Sequence, residues 1–226
     1  PPHAVAERSA LFKILEKRPY TLSLAGHTHY QESRFYGPEA GFDGPQPHHQ
    51  LIAATASGSW WLGAPDEVGI PHATMRGGAP NGYSVIQFDG HDYAVHFQAA
   101  RRPAEYQMNI FAPSATTSEA AANTEVLVNV FSGSERTRVE MRMGSDGDWI
   151  LLHREARKDP YYLADIERDL QRNPRPRFFL PPAIESPHLW VGTLPARPPI
   201  GTYVIEVRAT DMYGQVFHAN HLIRIE

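Results

Sequence analysis

The sequence contains no cysteine. Disulfides and thiolate metal ligands are therefore excluded, although the compartment is not decided by this. No apolar run approaches the roughly 18 residues that a membrane-spanning helix needs. Nor is there an excess of basic charge that would attract nucleic acid. Lysine and arginine total 21 against 25 aspartate and glutamate, a formal net charge of −4. An initiator methionine and a signal-peptide pattern are also missing, since the chain opens Pro1-Pro2-His3.

What is abundant is proline and glycine, 20 and 17 of 226 residues. Frequent turns follow, which favours a β-rich architecture over a helical bundle. The length suits one large domain or two modest ones.

One short stretch stands out, Leu22-Ser23-Leu24-Ala25-Gly26-His27-Thr28-His29. Apolar residues read as a buried strand over 20–25, and Gly26 permits a tight bend. Side chains alternate along an extended chain, so His27 and His29 are expected on one side with Thr28 turned away. Two neutral imidazoles at a strand end suit a transition metal. Paired histidines also occur in ordinary hydrogen-bond networks, and a metal site needs three or four ligands. Upstream, an apolar stripe of Ala10, Leu11, Ile14 and Leu15 predicts a helix over 4–18, stopped by Pro19. Helix, short connection and strand make an α/β unit.

Further along, 30–47 reads as loop and 51–56 as a strand. His48 and His49 are adjacent and would face opposite ways, so at most one could join a shared site. The loop Ser57-Gly58-Ser59-Trp60-Trp61 has two readings. Its indoles either anchor the loop to the core or form a wall against part of a substrate. Asn81-Gly82 is a turn signal. The runs 83–88 and 91–97 read as a hairpin about Asp89-Gly90. After Arg102 the character changes: a small, polar linker spans 112–123, and short strands follow at 126–131, 137–143, 148–154, 188–194, 202–210 and 215–225. Together they predict a β-sandwich. The segment 159–172 reads as an inserted helix with Leu163, Ile166 and Leu170 on one face.

Gly26-His27-Thr28-His29 resembles the last metal-ligand motif of the calcineurin-like metallophosphoesterases. The resemblance extends to Gly58-Ser59-Trp60-Trp61, Pro80-Asn81-Gly82-Tyr83, Asn129-Val130-Phe131, His188-Leu189-Trp190 and Ala209-Thr210-Asp211, which look like a bacterial subgroup with a C-terminal β-sandwich domain. It implies an α/β phosphoesterase portion over 1–104 and an immunoglobulin-like sandwich over 105–226. It also implies hydrolysis of a phosphomonoester or phosphodiester by water activated on two divalent or trivalent ions of the Mn, Fe or Zn class, with His27 and His29 as metal ligands. Trp60, Trp61 and Asn81 are the candidate substrate-binding residues.

The family's other ligand motifs are not found. No Gly-Asp-x-x-Asp occurs. Asp89-Gly90-His91 imitates Asp-x-His but belongs to a hairpin turn, and Ala219-Asn220-His221 imitates Gly-Asn-His but lies on the last strand. His3 is either the family's lone histidine ligand or a solvent-facing residue at a helix start. The chain is thus expected to be the C-terminal portion of such an enzyme, inactive alone, with the missing ligands on the rest of the same protein or on a second chain. The expected location is periplasmic or secreted, with the cytoplasm left open. The alternative is a non-enzymatic envelope module, a β-sandwich binding glycan or protein, with a vestigial metal motif.

Overall fold

The computed structural model describes residues 8–226. Along the chain lie helix α1 (Arg8–Leu15) and strands β1 (Leu22–Ala25), β2 (Glu32–Tyr36), β3 (His48–Ile52), β4 (Gly82–Asp89), β5 (Asp92–Ala99), β6 (Met108–Phe111), β7 (Ala115–Thr116) and β8 (Glu125–Val130). Then come β9 (Arg138–Met143), β10 (Ile150–Leu151), β11 (His153–Arg154), β12 (Arg157–Lys158), helix α2 (Pro160–Gln171), β13 (Glu185–Ser186), β14 (Leu189–Thr193), β15 (Gly201–Thr210) and β16 (Val216–Ile225). The chain is predominantly β.

The C-terminal part is a β-sandwich. A five-stranded sheet, ordered β10-β9-β15-β16-β7, faces a four-stranded sheet, ordered β11-β14-β8-β6. Alternate residues of both sheets turn inward, as the two-residue period of a strand requires. Val126, Val128 and Val130 of β8 and Trp190 of β14 meet Val139 and Met141 of β9, Ile205 and Val207 of β15, and Ile223 and Ile225 of β16 in one buried cluster. Each such side chain contributes roughly 1.5–3 kcal/mol through its removal from water.

The N-terminal sheet has three strands ordered β1-β3-β2, with β1 parallel and β2 antiparallel to β3. All five residues of β3 are buried, because β3 is central. β1 is an edge strand, and Leu24 is 57% exposed. The expectation of a buried strand at 20–25 is thus corrected, and Tyr20 and Thr21 precede the pairing. β2 falls inside the span expected to be loop.

The predicted helix extends beyond the described residues at its start. Within them its anchor is Phe12, packed on Tyr36 and Phe42 with ring centroids 5.5 and 5.3 Å apart. Ile14, assigned to the buried stripe, is 64% exposed.

The β4–β5 hairpin forms a sheet of its own and turns at Gly90 (φ 60°), the first of two loop residues, as expected. Phe97 on β5 packs with Met75, Ala79, Ala99 and Phe131, which joins the hairpin to the sandwich. No helix among the described residues is long and apolar enough to cross a membrane.

Candidate functional site

The Gly26-His27-Thr28-His29 motif begins where β1 ends. Pairing with β3 continues one step past the strand, as the amide of Ala53 donates to the Ala25 carbonyl at 2.7 Å. The chain then turns. His27 and Thr28 lie in the turn and His29 in a bend, with His29 in the left-handed region at φ 54°. Strand-like alternation therefore does not extend through the motif, which corrects the geometric basis for placing both imidazoles on one side. His27 is exposed and His29 half-buried. A Cβ at Gly26 would meet nothing within 4 Å, so packing within the described residues does not demand glycine there.

His29 is held from two directions. Its Nδ1 lies 2.8 Å from the Gly58 carbonyl oxygen. A carbonyl only accepts, so Nδ1 must carry the hydrogen, and in the neutral ring Nε2 keeps its lone pair. The imidazole also stacks on the Trp60 indole, with centroids 4.0 Å apart and planes 10° apart. Fixing one ring nitrogen on a backbone carbonyl is how metal-ligating histidines are commonly oriented.

The loop that supplies both contacts is strained. Trp60 and Trp61 have φ of 61° and 55°, a left-handed conformation that costs bulky residues of order 1–3 kcal/mol each. The two indoles are 44% and 41% exposed. Gly58 itself has φ 46°, and a Cβ there would come within 1.5 Å of the Ala73 carbonyl oxygen. Asn81 is buried below the loop, where its Nδ2 donates to the Ala56 carbonyl at 2.7 Å. It ties the base of the loop rather than facing outward with the indoles.

The strained loop is bound from behind by α2, a feature not anticipated from the sequence. Tyr162, Asp165 and Asp169 follow at i, i+3 and i+7 and so share one helix face. The carboxylate of Asp169 accepts from the Ala64 amide at 3.1 and 3.3 Å. Asp165 lies 2.7 Å from His72 Nε2. The Tyr162 hydroxyl donates to the Pro181 carbonyl at 2.9 Å and sits 3.2 Å from Ser59 Oγ, next to Trp60. Tyr162 and Asp169 are buried, whereas Leu163 and Leu170 of the predicted apolar face are 42% and 48% exposed. The inward face of α2 is thus the polar one.

Asp159 caps α2 by accepting from the Tyr162 amide at 2.8 Å. It also accepts from Asn129 Nδ2 at 2.7 Å, and the same amide donates to the Gly77 carbonyl at 2.9 Å. Asn129 Oδ1 then accepts from His188 Nδ1 at 2.7 Å. Burial pushes the Asp159 carboxyl up, and holds the fully buried His188 down at about 4.

His48 and His49 face opposite ways, as expected. His48 bonds Ser23 Oγ and Thr21 Oγ1 at 2.8 and 2.7 Å, while His49 bonds the Tyr93 hydroxyl. Neither joins His27 or His29. Among the described residues, no group of three or more histidine, aspartate or glutamate side chains is placed to hold a metal ion. His3 lies outside the described residues.

A family model described as the C terminal of calcineurin-like phosphoesterase matches residues 50–217. The chain belongs to this family. The match takes in the tryptophan loop, α2 and the sandwich up to the start of β16, and begins after the Gly26-His29 motif. This phosphoesterase family chain matches no curated protein. Among solved structures it is similar to CopC from Methylosinus trichosporium OB3b, with 11% identity and a TM-score of 0.27 over 52% of this chain and 89% of that one. It is also similar to the superoxide reductase (neelaredoxin) from Ignicoccus hospitalis, with 15% identity and a TM-score of 0.29 over 54% and 81% of the two chains. Likenesses this slight carry no weight for fold or function.

Proposed function

We propose that this chain is the C-terminal portion of a metal-dependent phosphoesterase and contributes one side of its active site. His27 and His29 would be two of the metal ligands. Family membership supports the reaction class. The single observation that carries the ligand assignment is the hydrogen bond from His29 Nδ1 to the Gly58 carbonyl, which leaves Nε2 free to coordinate. The exposed His27 imidazole makes no hydrogen bond among the described residues. Two histidines are too few for a tight site, so the remaining ligands come from another segment of the same protein or from a second chain. Bound ions of the Mn, Fe or Zn class would clamp the phosphate and acidify a water.

The chain's own residues orient and shield. The Trp60 stack fixes the His29 ring plane, and the outward indole faces of Trp60 and Trp61 offer a flat apolar wall to the non-phosphate part of an ester. Asn81 acts behind this wall by holding Ala56. The test is metal content and hydrolysis of an aryl phosphate by the full-length gene product and its His29→Ala variant. A fall in bound metal and a loss of turnover of about a hundredfold or more is expected. Unchanged metal content and turnover in His29→Ala would overturn the reading.

A further inference from the structure

A cavity of about 250 Å³ opens at the other end of the N-terminal sheet. The register pairs Leu22 with His49 at the start of β1 and Ala25 with Ile52 at its finish. The cavity is lined by residues just before β1, including Tyr20, and by His49 at the start of β3, whereas the histidine motif follows Ala25. About 10 Å of strand, at roughly 3.3 Å per residue, separates the two. The cavity is therefore a distinct site.

Its walls come from three parts of the fold: the N-terminal sheet, the β4–β5 hairpin and the sandwich. On one wall Tyr20 stacks on His91, with centroids 4.3 Å apart and planes 7° apart. On the other, three near-parallel rings form a column. His49 lies 4.6 Å from Phe35 and 5.8 Å from Tyr93, each at 13°. Tyr213, from the β15–β16 turn, meets Tyr93 edge-on at 5.9 Å. Such preformed aromatic columns present flat faces at fixed positions and at little entropic cost.

Several polar groups at this cavity have no protein partner among the described residues, and two of them, Arg136 and Asp92, are exposed at its mouth. The Arg136 guanidinium lies 3.7 Å over the Phe35 ring, and no carboxylate pairs with it among the described residues. Nor does the Asp92 carboxylate have a hydrogen bond or ion pair there. The Tyr213 hydroxyl likewise makes no hydrogen bond among the described residues. His49 is 3% exposed; its Nδ1 is committed to the Tyr93 hydroxyl, and its Nε2 is buried without a partner. A fixed, stacked guanidinium selects an anionic oxygen group. An unpaired carboxylate can only accept, so it calls for ligand hydroxyls. Aromatic faces between the two suit a compact ring. The volume, about 250 Å³, falls just below the roughly 300 to 1,000 Å³ of pockets for drug-sized ligands, so only a small ligand fits.

We propose that this cavity binds a monosaccharide-sized sugar bearing one acidic group. The acid lies on Arg136, the hydroxyls on Asp92 and Tyr213, and the ring against the aromatic walls. The site stands independently of the phosphoesterase reading.

Calorimetric titration of the 226-residue chain, with EDTA present to silence the histidine motif, tests this. Glucuronate, glucose 6-phosphate, glucose and inorganic phosphate are the probes. At least one acidic sugar should bind about tenfold or more tighter than glucose, the scale of a charge-assisted contact. The two acids distinguish a carboxylate from a phosphate ligand. Arg136 is exposed, so Arg136→Gln should fold and should weaken the acidic sugar about tenfold while leaving glucose unchanged. Tyr213→Phe should weaken it as well. No preference for either acidic sugar over glucose, or unchanged affinity in Arg136→Gln, overturns the proposal. Inorganic phosphate binding as tightly as glucose 6-phosphate overturns the sugar assignment.

Discussion

The hydroxyl of Tyr162 lies 3.2 Å from Ser59 Oγ, although the two residues are 103 positions apart in the chain. Ser59 adjoins Trp60, which stacks on His29. A helix embedded in the sandwich sequence is therefore two contacts away from the histidine motif.

Weakening that helix should loosen the loop without unfolding the sandwich. Tyr162→Phe leaves the half-buried Pro181 carbonyl without its donor, at a cost of about 1 kcal/mol. Asp169→Asn exchanges a charged acceptor of the Ala64 amide for a neutral one. Limited proteolysis should show new cleavage between residues 57 and 73 in both variants, while the 125–226 fragment stays intact. Cleavage identical to that of the parent chain would mean that α2 does not hold the loop.

Gly58→Ala should be more damaging than its single methyl implies. The new Cβ would overlap the Ala73 carbonyl, so the backbone must move, and with it the carbonyl that orients His29. Stability should fall by about 1–3 kcal/mol, the usual cost of a disallowed backbone position. Urea denaturation measures this. In the full-length protein, metal affinity should fall with it.

Acid should destabilise the fold before most carboxylates titrate. His49 is held neutral, its pKa lowered from 6.5 to about 4, first by burial and then by the charges of Arg136 and His48. His188 is lowered to about 4 by burial. Between pH 6.5 and 4 the unfolded chain binds more protons than the folded one, so stability falls as pH drops through this window and levels off below it. At most about 3 kcal/mol per ring is at stake. Urea midpoints should fall from pH 7 to pH 4.5, with a shallower fall in His49→Phe. A pH-independent midpoint over that range would contradict the burial of both rings.

Glu140 acts at lower pH. Hydrogen bonds from Arg138 and Arg208 hold its carboxyl down at about 2. Its contribution is present above the ordinary value of 4.5 and is lost as pH falls from there towards 2. Glu140→Gln should therefore lower the melting temperature at pH 7 and make little difference near pH 2.5. An equal loss at both would assign its role to packing.

The sandwich was legible because its information is local. Valines at alternate positions of 126–130 and the Asp211–Gly214 turn specify strand and hairpin within a few residues. β2 was not legible, since Glu32, Ser33 and Arg34 carry no apolar alternation and pairing with β3 alone defines the strand. In α2 the apolar periodicity of Leu163, Ile166 and Leu170 named the wrong face. The buried face carries Asp169, which is affordable only because the Ala64 amide, 105 residues away, satisfies it. For the histidines, the motif was singled out by its resemblance to a family pattern, but the expected alternation did not survive the turn at His27. The Trp60 contact rests on left-handed backbone at three non-glycine residues, which no local preference announces.

The polar face of α2 also bears on how such proteins can be recombined. A chimera that joined the N-terminal part of this chain to another family's sandwich, cut at the small polar linker near residue 112, would respect the order of the chain but not its wiring. The Ala64 amide and the His72 imidazole would lose their acceptors, and the indole wall would lose its backing. The heritable unit is the loop together with its distant helix, so exchange of the C-terminal region should be tolerated only when residues 55–81 travel with it.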